Sequence, residues 1–444
     1  MKSFYNTLKI KEYACPDNCD ICREACRKKQ REMPQGASGI KAVQIPQLKA
    51  NTAIACNQCS EPICEENCPT GAIGKNQNDG VVRIDQDTCL GCGICSLVCP
   101  YGGIDYDPVT RTTFKCDLCG GNPECVKACP EGLISFEKSR DIVQYFNTDR
   151  LAMGTPLCWG CPAELSFRFS MRILGKDTIL FGAPGCAVLM ICGAGTQTYC
   201  QFPTHMTNMT NLPSTASGLK RYYKKMGKNL QVVCFAGDGC FADVGFQPLS
   251  GAAERGENII VICYDNEGYM NTGVQRSGTT PYLGWTTTTP VGKKSRGKQT
   301  PPKNMPLIMA AHEIPYVATA TIGFPEDYAK KLKKAMDVKD GMSYIHLFSP
   351  CTTGWRAGSD AGVEICQSAV ETNFFPLWEY EKGDYRFTHE VAKPKGIVEY
   401  LKLMRRFSHL DKKDIEEVQR LVDKRVGRIQ SLTEMGTHEK ESCS

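Results

Sequence analysis

From about residue 151 the chain alternates long apolar runs with amphipathic stretches. Gln231–Ala236, Asn258–Tyr264, Tyr316–Thr321 and Ser343–Phe348 are nearly continuous apolar segments of strand length, and Thr178–Phe181 is a shorter fifth. Runs without polar alternation suit strands buried on both faces of a parallel sheet. Pro325–Met336, between two of them, has helical spacing. The pattern therefore predicts an α/β domain with a mainly parallel sheet and helices on both faces. Near the end, Ile415, Val418, Leu421, Val422, Val426, Ile429 and Leu432 form one helical stripe, suited to packing on its own domain.

The first part of the chain is dominated by cysteine. Of 27 Cys, 16 precede residue 130, in four groups of four. Repetition at this scale signals an internal repeat. The 444 residues correspond to about three domains at roughly 150 residues each, and the 41% hydrophobic and 23% charged composition excludes disordered, collagenous and coiled-coil chains. A chain this long needs no disulfide scaffold, and the opening MKSFYNTLKIKEYACPDNCD lacks the apolar run of a signal peptide, so thiolate ligands in a reducing cytoplasm are expected. A net charge of +5 is too weak to indicate nucleic acid, and the basic stretch Lys293–Lys303 reads as a solvated loop. Thr178–Thr204 carries no charge, but its Gly and Pro residues interrupt it short of the roughly 20 apolar residues a membrane span needs. It reads as a buried strand and loop.

Cys89, Cys92, Cys95 and Cys99, followed by Pro100, form C-x2-C-x2-C-x3-C-P. In that spacing three thiolates bind one cubane and the fourth reaches a neighbouring cluster. Cys56, Cys59, Cys64 and Cys68 with Pro69 repeat it with a longer middle gap, as do Cys116, Cys119, Cys125 and Cys129 with Pro130; Cys15, Cys19, Cys22 and Cys26 form a looser group without the proline. Zinc is the alternative, but a zinc site closes on four near ligands. The repeat resembles the four-cluster electron-transfer subunits of the dimethyl sulfoxide reductase type. That resemblance implies clusters on Cys56, Cys59, Cys64 with Cys99; Cys89, Cys92, Cys95 with Cys68; Cys116, Cys119, Cys125 with Cys26; and Cys15, Cys19, Cys22 with Cys129.

In parallel sheets ligands bind beyond the carboxyl ends of strands. Gln231–Ala236 runs into Gly237-Asp238-Gly239, and Asn258–Tyr264 into Asp265-Asn266. A glycine pair lets the backbone approach a diphosphate, and Asp and Asn oxygens are hard ligands for Mg2+, so the pair of motifs points to thiamine diphosphate. The stretch from Gly237 to Pro281, with YVATATIGFP and SYIHLFSPCTTGW, resembles the cofactor motif of 2-oxoacid:ferredoxin oxidoreductase β chains, the pyruvate:ferredoxin oxidoreductase family. The resemblance implies Mg2+ on the Asp238 and Asn266 side chains and the Gly268 carbonyl. It implies a diphosphate wrapped by Gly237, Asp238, Gly239 and Cys240 with Asn266, Glu267, Gly268, Tyr269, Met270 and Asn271, the last pointing at the reacting carbons as the catalytic candidate. The family's Gly-Gly is here Gly273-Val274. Cys158, Cys161, Cys186 and Cys351 match the ligands of a cluster beside the thiamine, and Glu164 matches a cofactor-contacting Glu. Cys192, Cys200, Cys234, Cys263, Cys366 and Cys443 read as plain buried hydrophobes.

The resemblance implies three segments: a four-cluster α+β polyferredoxin domain over 1–140, a thiamine diphosphate domain with a proximal cluster over 141–400, and a C-terminal helical extension over 401–444. It implies five [4Fe-4S] clusters in all, oxidative decarboxylation of a 2-oxoacid to an acyl-CoA, an α subunit supplying the Glu that activates the thiamine, and further subunits for coenzyme A and for NAD or FAD. A four-motif ferredoxin ahead of the thiamine domain looks most like the phenylglyoxylate dehydrogenases. Phenylglyoxylate is the leading substrate, with pyruvate or another 2-oxoacid as the alternative. An electron-transfer subunit with a vestigial thiamine fold would have lost Asp238 or Asn266.

Overall fold

The computed structural model describes residues 4–10, 15–16, 18–29, 38–45, 50–59, 62–76, 78–140, 151–152, 154–193 and 200–442. Cys443 lies outside the described residues, as do 141–150 after the expected boundary. The chain divides into two compact units, Met1–Gln144 and Tyr145–Ser444. Among the described residues, no helix is long and apolar enough to cross a membrane.

The first unit is built from short antiparallel pairs and short helices. Phe4–Ile10 pairs with Ile134–Arg140, Ile40–Ile45 with Ala50–Ala55, Ile73–Lys75 with Val82–Ile84, and Ile104–Asp107 with Thr112–Lys115. The four helices Ile21–Lys29, Ile63–Glu66, Ile94–Val98 and Glu124–Ala128 each carry a cysteine from the repeats: Cys22 and Cys26, Cys64, Cys95, and Cys125. Two of them stop at an extended residue, Cys99 or Cys129, because the proline that follows disfavours helix at the residue before it. The first helix packs on the fourth and the second on the third. Two small cores follow that pairing. One joins Cys22, Cys26, Cys116 and Cys125 with Leu8, Ile40, Leu118 and Ile134; the other joins Cys64 and Cys95 with Ile73, Val82 and Ile104.

The second unit holds one eight-stranded sheet. In chain order its strands are β1 Thr178–Gly182, β2 Thr204–Met206, β3 Gln231–Gly237, β4 Ile260–Asp265, β5 Tyr316–Thr321, β6 Ser343–Phe348, β7 Leu377–Glu381 and β8 Asp384–His389. Across the sheet they run β2-β1-β3-β4-β6-β5-β7-β8. Every pairing from β2 to β5 is parallel, and β7 and β8 add an antiparallel edge. All five expected strands form, and β4, β5 and β6 are buried at every position. The helix expected from Pro325 spans Pro325–Asp337. The C-terminal stripe belongs to the helix Lys412–Ser442, which contacts β8 and buries Val418, Val422 and Ile429.

Three expectations need correction. The stretch after β1 is not all loop: Cys186–Cys192 is a helix between two glycines. Cys192, at its end, is exposed rather than buried. The basic stretch is not wholly solvated either, since Lys298 is 2% exposed and donates to the carbonyls of Thr280 at 2.6 Å and Gly278 at 3.3 Å. Burial lowers its pKa to about 8.

Candidate cofactor and cluster site

Four neighbouring strands, β1, β3, β4 and β6, place candidate residues just beyond their carboxyl ends: Cys186, Asp238, Asn266 and Cys351 in turn. After β3 the chain enters a π-helical turn, Gly239–Val244, and then the helix Phe246–Glu254. Asp238, at that junction, is fully buried. Burial first and the Asp265 carboxylate second hold its carboxyl well above the usual carboxylate range. A buried acid with an acid for a neighbour calls for a cation.

The Asn266 amide supplies geometry for one. The end of its side chain lies 2.9 Å from the Gly268 carbonyl oxygen and 3.1 Å from Asp238 Oδ1, with its oxygen turned to those oxygens; a reversed amide would hydrogen-bond both. Oxygens bound about 2.1 Å from one octahedral Mg2+ sit about 3 Å apart along the edges. The spacing of the three groups fits the ion that the family resemblance implies for them. Among the described residues, no three Cys, His, Asp or Glu side chains close on one point as around a single ion; this donor set is a mixed one.

Behind these groups runs a buried polar chain. Thr279 Oγ1 lies 2.9 Å from Asp238 Oδ2 and 2.8 Å from Asp265 Oδ1. Asp265 Oδ2 lies 2.9 Å from His346 Nε2, whose Nδ1 is 3.0 Å from the Tyr344 hydroxyl. Asp265 Oδ1 also accepts from the Glu267 N–H at 2.8 Å, fixing the loop that follows. Glu267 is buried at φ +59, and burial pushes its carboxyl up to about 8 against the opposing pull of Arg406. The Tyr269 hydroxyl donates to the Gly239 carbonyl at 3.0 Å and so ties the two cofactor segments together. Cys240 is packed in the core, donating to the Met209 carbonyl at 3.3 Å; Met270 is half-buried and Asn271 exposed. Thr279, His346 and Trp355 lie within the stretches that carry the resemblance, but no spacing marks them as site residues, and Arg406 lies outside those stretches.

Four Cys-x2-Cys loops share one backbone signature across both units. In Cys56–Cys59, Cys89–Cys92, Cys116–Cys119 and Cys158–Cys161 the residue before the second cysteine is left-handed: Gln58 at φ +52, Gly91 at +61, Leu118 at +58 and Gly160 at +68; the corresponding Ile21 and Ile94 begin helices instead. Asn18, ahead of Cys19, does the same at +57. At Gly91 and Gly160 a side chain is also excluded sterically, since a Cβ would stand 1.8 Å from the Arg111 carbonyl oxygen and 1.5 Å from that of Ser359. The turn exposes N–H groups to sulfur, as in Gln58 to Cys56 Sγ and Leu118 to Cys116 Sγ, both 3.4 Å. The close packing of Gly160 on Ser359 brings Cys158 and Cys161 to the segment that begins at Cys351.

Electrostatics groups the thiols. Burial, then repulsion from Cys351, Cys161 and Cys158, pushes Cys186 up to about 12. Burial pushes Cys351 up to about 11, with Cys161 and Cys158 adding to it and Arg406 opposing. In the first unit, burial and then Cys26, Cys119 and Cys22 push Cys125 up to about 12. Cys15 is raised by burial and then by Cys19 and Cys129. Cys59 is raised by burial and Cys56, with Cys99 a further contributor, and Cys95 by burial with Cys89 and Cys92 contributing. Thiols that repel one another under burial are suited to a shared cationic iron-sulfur core. Glu164 sits in the first turn of the helix Pro162–Leu174, 8% exposed, 3.9 Å from Arg168.

Two family profiles match the chain. The one described as thiamine pyrophosphate enzyme, C-terminal TPP binding domain, covers residues 184–347, and the 4Fe-4S dicluster domain covers residues 50–139. The β subunit of NADH-dependent phenylglyoxylate dehydrogenase from Aromatoleum evansii is 41% identical over 438 residues, spanning 97% of this chain and 98% of its own. The chain is a β subunit of the 2-oxoacid oxidoreductase family. This β subunit is also 44% identical over 292 residues to pyruvate synthase subunit PorB of Methanocaldococcus jannaschii, and 43% over 290 residues to ketoisovalerate oxidoreductase subunit VorB of Pyrococcus furiosus. Each of those alignments covers 64% of this chain, with 97% and 93% of the relative. The β subunit accordingly carries a thiamine diphosphate domain and an iron-sulfur domain, is part of an oxidoreductase acting on an oxo group, and works with partner subunits.

Proposed function

We propose that this β subunit catalyses oxidative decarboxylation of phenylglyoxylate, the acyl group passing to coenzyme A and the electrons leaving through five [4Fe-4S] clusters to NAD by way of partner subunits. The reading is carried by the extent of the likeness to the Aromatoleum evansii subunit, which takes in 97% of the chain, whereas the PorB and VorB relatives account for 64%. Pyruvate is the second reading, favoured by the 44% identity to PorB within the shared part.

Asp238, Asn266 and the Gly268 carbonyl would hold Mg2+, with Gly237–Cys240 and Asn266–Asn271 around the diphosphate. Bound thiamine diphosphate supplies the carbon nucleophile for the 2-oxoacid carbonyl and the electron sink for loss of carbon dioxide, and the clusters take the resulting electrons singly. The chain's own residues prepare that chemistry. Thr279 and Asp265 orient the Asp238 carboxylate, and burial keeps water from competing for its charge. Cys158, Cys161, Cys186 and Cys351 hold the proximal cluster, and the four ferredoxin groups hold the rest. Asn271, exposed in the isolated chain, faces the reacting carbons once the α subunit covers it and contributes its activating Glu. The test is an anaerobically purified complex assayed with a panel of 2-oxoacids, coenzyme A and either NAD or ferredoxin. Highest kcat/KM with phenylglyoxylate is expected; a preference for pyruvate would replace this substrate.

A further inference from the structure

Arg406 lies in the short turn Arg405–Phe407, far along the chain from the cofactor motif, yet it is 1% exposed and reaches the site. Its Nη1 donates to Glu267 Oε2 at 2.8 Å. Its guanidinium stacks 4.5 Å from the Trp355 ring centroid. Trp355 in turn donates from Nε1 to the Asn266 carbonyl at 3.0 Å, and its backbone N–H donates to the Cys351 carbonyl at 2.8 Å. The Gly354 N–H, in the same turn, reaches Cys351 Sγ at 3.2 Å. One buried cation therefore touches the residue between the Asn266 and Gly268 donors and also the ring that closes the turn beginning at Cys351.

Two further features argue against an ordinary structural ion pair. Among the described residues, the buried Arg406 Nε and Nη2 have no hydrogen-bond partner, so Glu267 meets only part of a five-donor group. Burying a charge pair carries a large desolvation cost, and apolar residues commonly do as well for stability. Glu267 is meanwhile held in the left-handed region at φ +59, where a non-glycine residue persists only if its surroundings impose it. The imposing contacts are its N–H to Asp265 Oδ1, its carbonyl accepting from Thr280 Oγ1 at 2.8 Å, and Arg406.

We propose that Arg406 is a positioning residue that locks the Mg2+ and diphosphate loop to the proximal-cluster loop, and that its permanent charge raises that cluster's reduction potential. The inference rests on the functional reading above. An electron entering the cluster adds negative charge, and a fixed, incompletely paired cation nearby stabilises the reduced state. Through Trp355 and Glu267 the same side chain fixes where the Asn266 and Gly268 oxygens stand. Thiamine affinity and cluster potential are thus coupled through one residue.

The test uses the assembled complex purified without oxygen, carrying Arg406→Lys or the double change Arg406→Gln with Glu267→Gln, which removes both charges and leaves neither buried alone. Binding of thiamine diphosphate with Mg2+ is measured by calorimetry, and the proximal cluster's midpoint by redox titration followed by electron paramagnetic resonance. The double variant should bind the cofactor about 10- to 100-fold more weakly, the range for residues that orient metal ligands. It should also shift the proximal midpoint downward while the ferredoxin clusters keep theirs. Arg406→Lys keeps the charge but not the planar stack, so it should retain most of the potential and lose affinity. Native affinity and potential in the double variant would overturn the inference. A native complex with neither bound thiamine nor a proximal cluster signal would instead overturn the functional reading beneath it.

Discussion

The ferredoxin unit and the thiamine unit form the same cysteine turn but rest on different foundations. Gly91 and Gly160 adopt the same left-handed conformation before Cys92 and Cys161, and both lie against a carbonyl that no side chain could clear. Around Gly91, though, the apolar clusters are small and rich in cysteine: Cys22, Cys26, Cys116 and Cys125 among eleven buried residues in one, Cys64 and Cys95 among five in the other. Around Gly160 stands an eight-stranded sheet whose core includes Phe181, Val232, Phe241, Val261 and Tyr344 and owes little to thiols. A unit whose small core is completed by ligands draws much of its folding energy from its metal; a sheet that already folds uses the metal for chemistry.

Removing iron with a chelator under reducing conditions should break the comparison most visibly. Amide-exchange protection across 78–140 should be lost entirely, while β3, β4 and β6 keep theirs. Equal loss in both units would mean the thiamine domain also depends on its cluster to fold. Asp238→Ala reaches only the other side of the contrast. It removes a hard oxygen ligand and no thiolate, so thiamine diphosphate and Mg2+ should be absent from the purified complex while iron stays at about 20 per chain, the content of five four-iron clusters. Iron near 12 in the native protein would show that two of the groups are not clusters. A smaller effect belongs to Gly160→Ala. A methyl group there collides with Ser359, so this variant should lose about four iron, by iron and sulfide analysis, and keep its thiamine. Retention of all its iron would show that Cys158 and Cys161 do not serve a cluster.

The same contrast governs what the sequence disclosed. The four cysteine groups were legible because each set of thiols is local and repeats; the packing of the first helix on the fourth and of the second on the third is tertiary. The strands β3 to β6 were legible because burial on both faces removes polar residues from them. The strand β2 was missed because three residues carry no period, and β7 and β8 because they lie at an antiparallel edge where polar residues such as Glu379, Glu381 and Arg386 are tolerated. The helix Cys186–Cys192 hid between glycines that suggested a loop, and Lys298 hid in a run of exposed cations. Val274, a departure from the family's glycine, sits at φ +64, so the backbone there keeps the conformation that glycine would adopt without strain. His346, Trp355 and Arg406 join the site through tertiary contact, and no local pattern marks them as part of it.

The central claim is that electrons enter at the cluster on Cys158, Cys161, Cys186 and Cys351 and leave through the ferredoxin unit. The most direct measurement is cluster reduction, followed by electron paramagnetic resonance after rapid mixing with the 2-oxoacid and coenzyme A, in complexes carrying Cys186→Ala or Cys92→Ala. With Cys186→Ala, decarboxylation should remain possible while every remaining cluster stays oxidised; with Cys92→Ala, the proximal cluster should be reduced by substrate while transfer to the final acceptor fails. Native-rate reduction of the remaining clusters in Cys186→Ala would contradict the account, since electrons would then be reaching the ferredoxin unit without the proximal site.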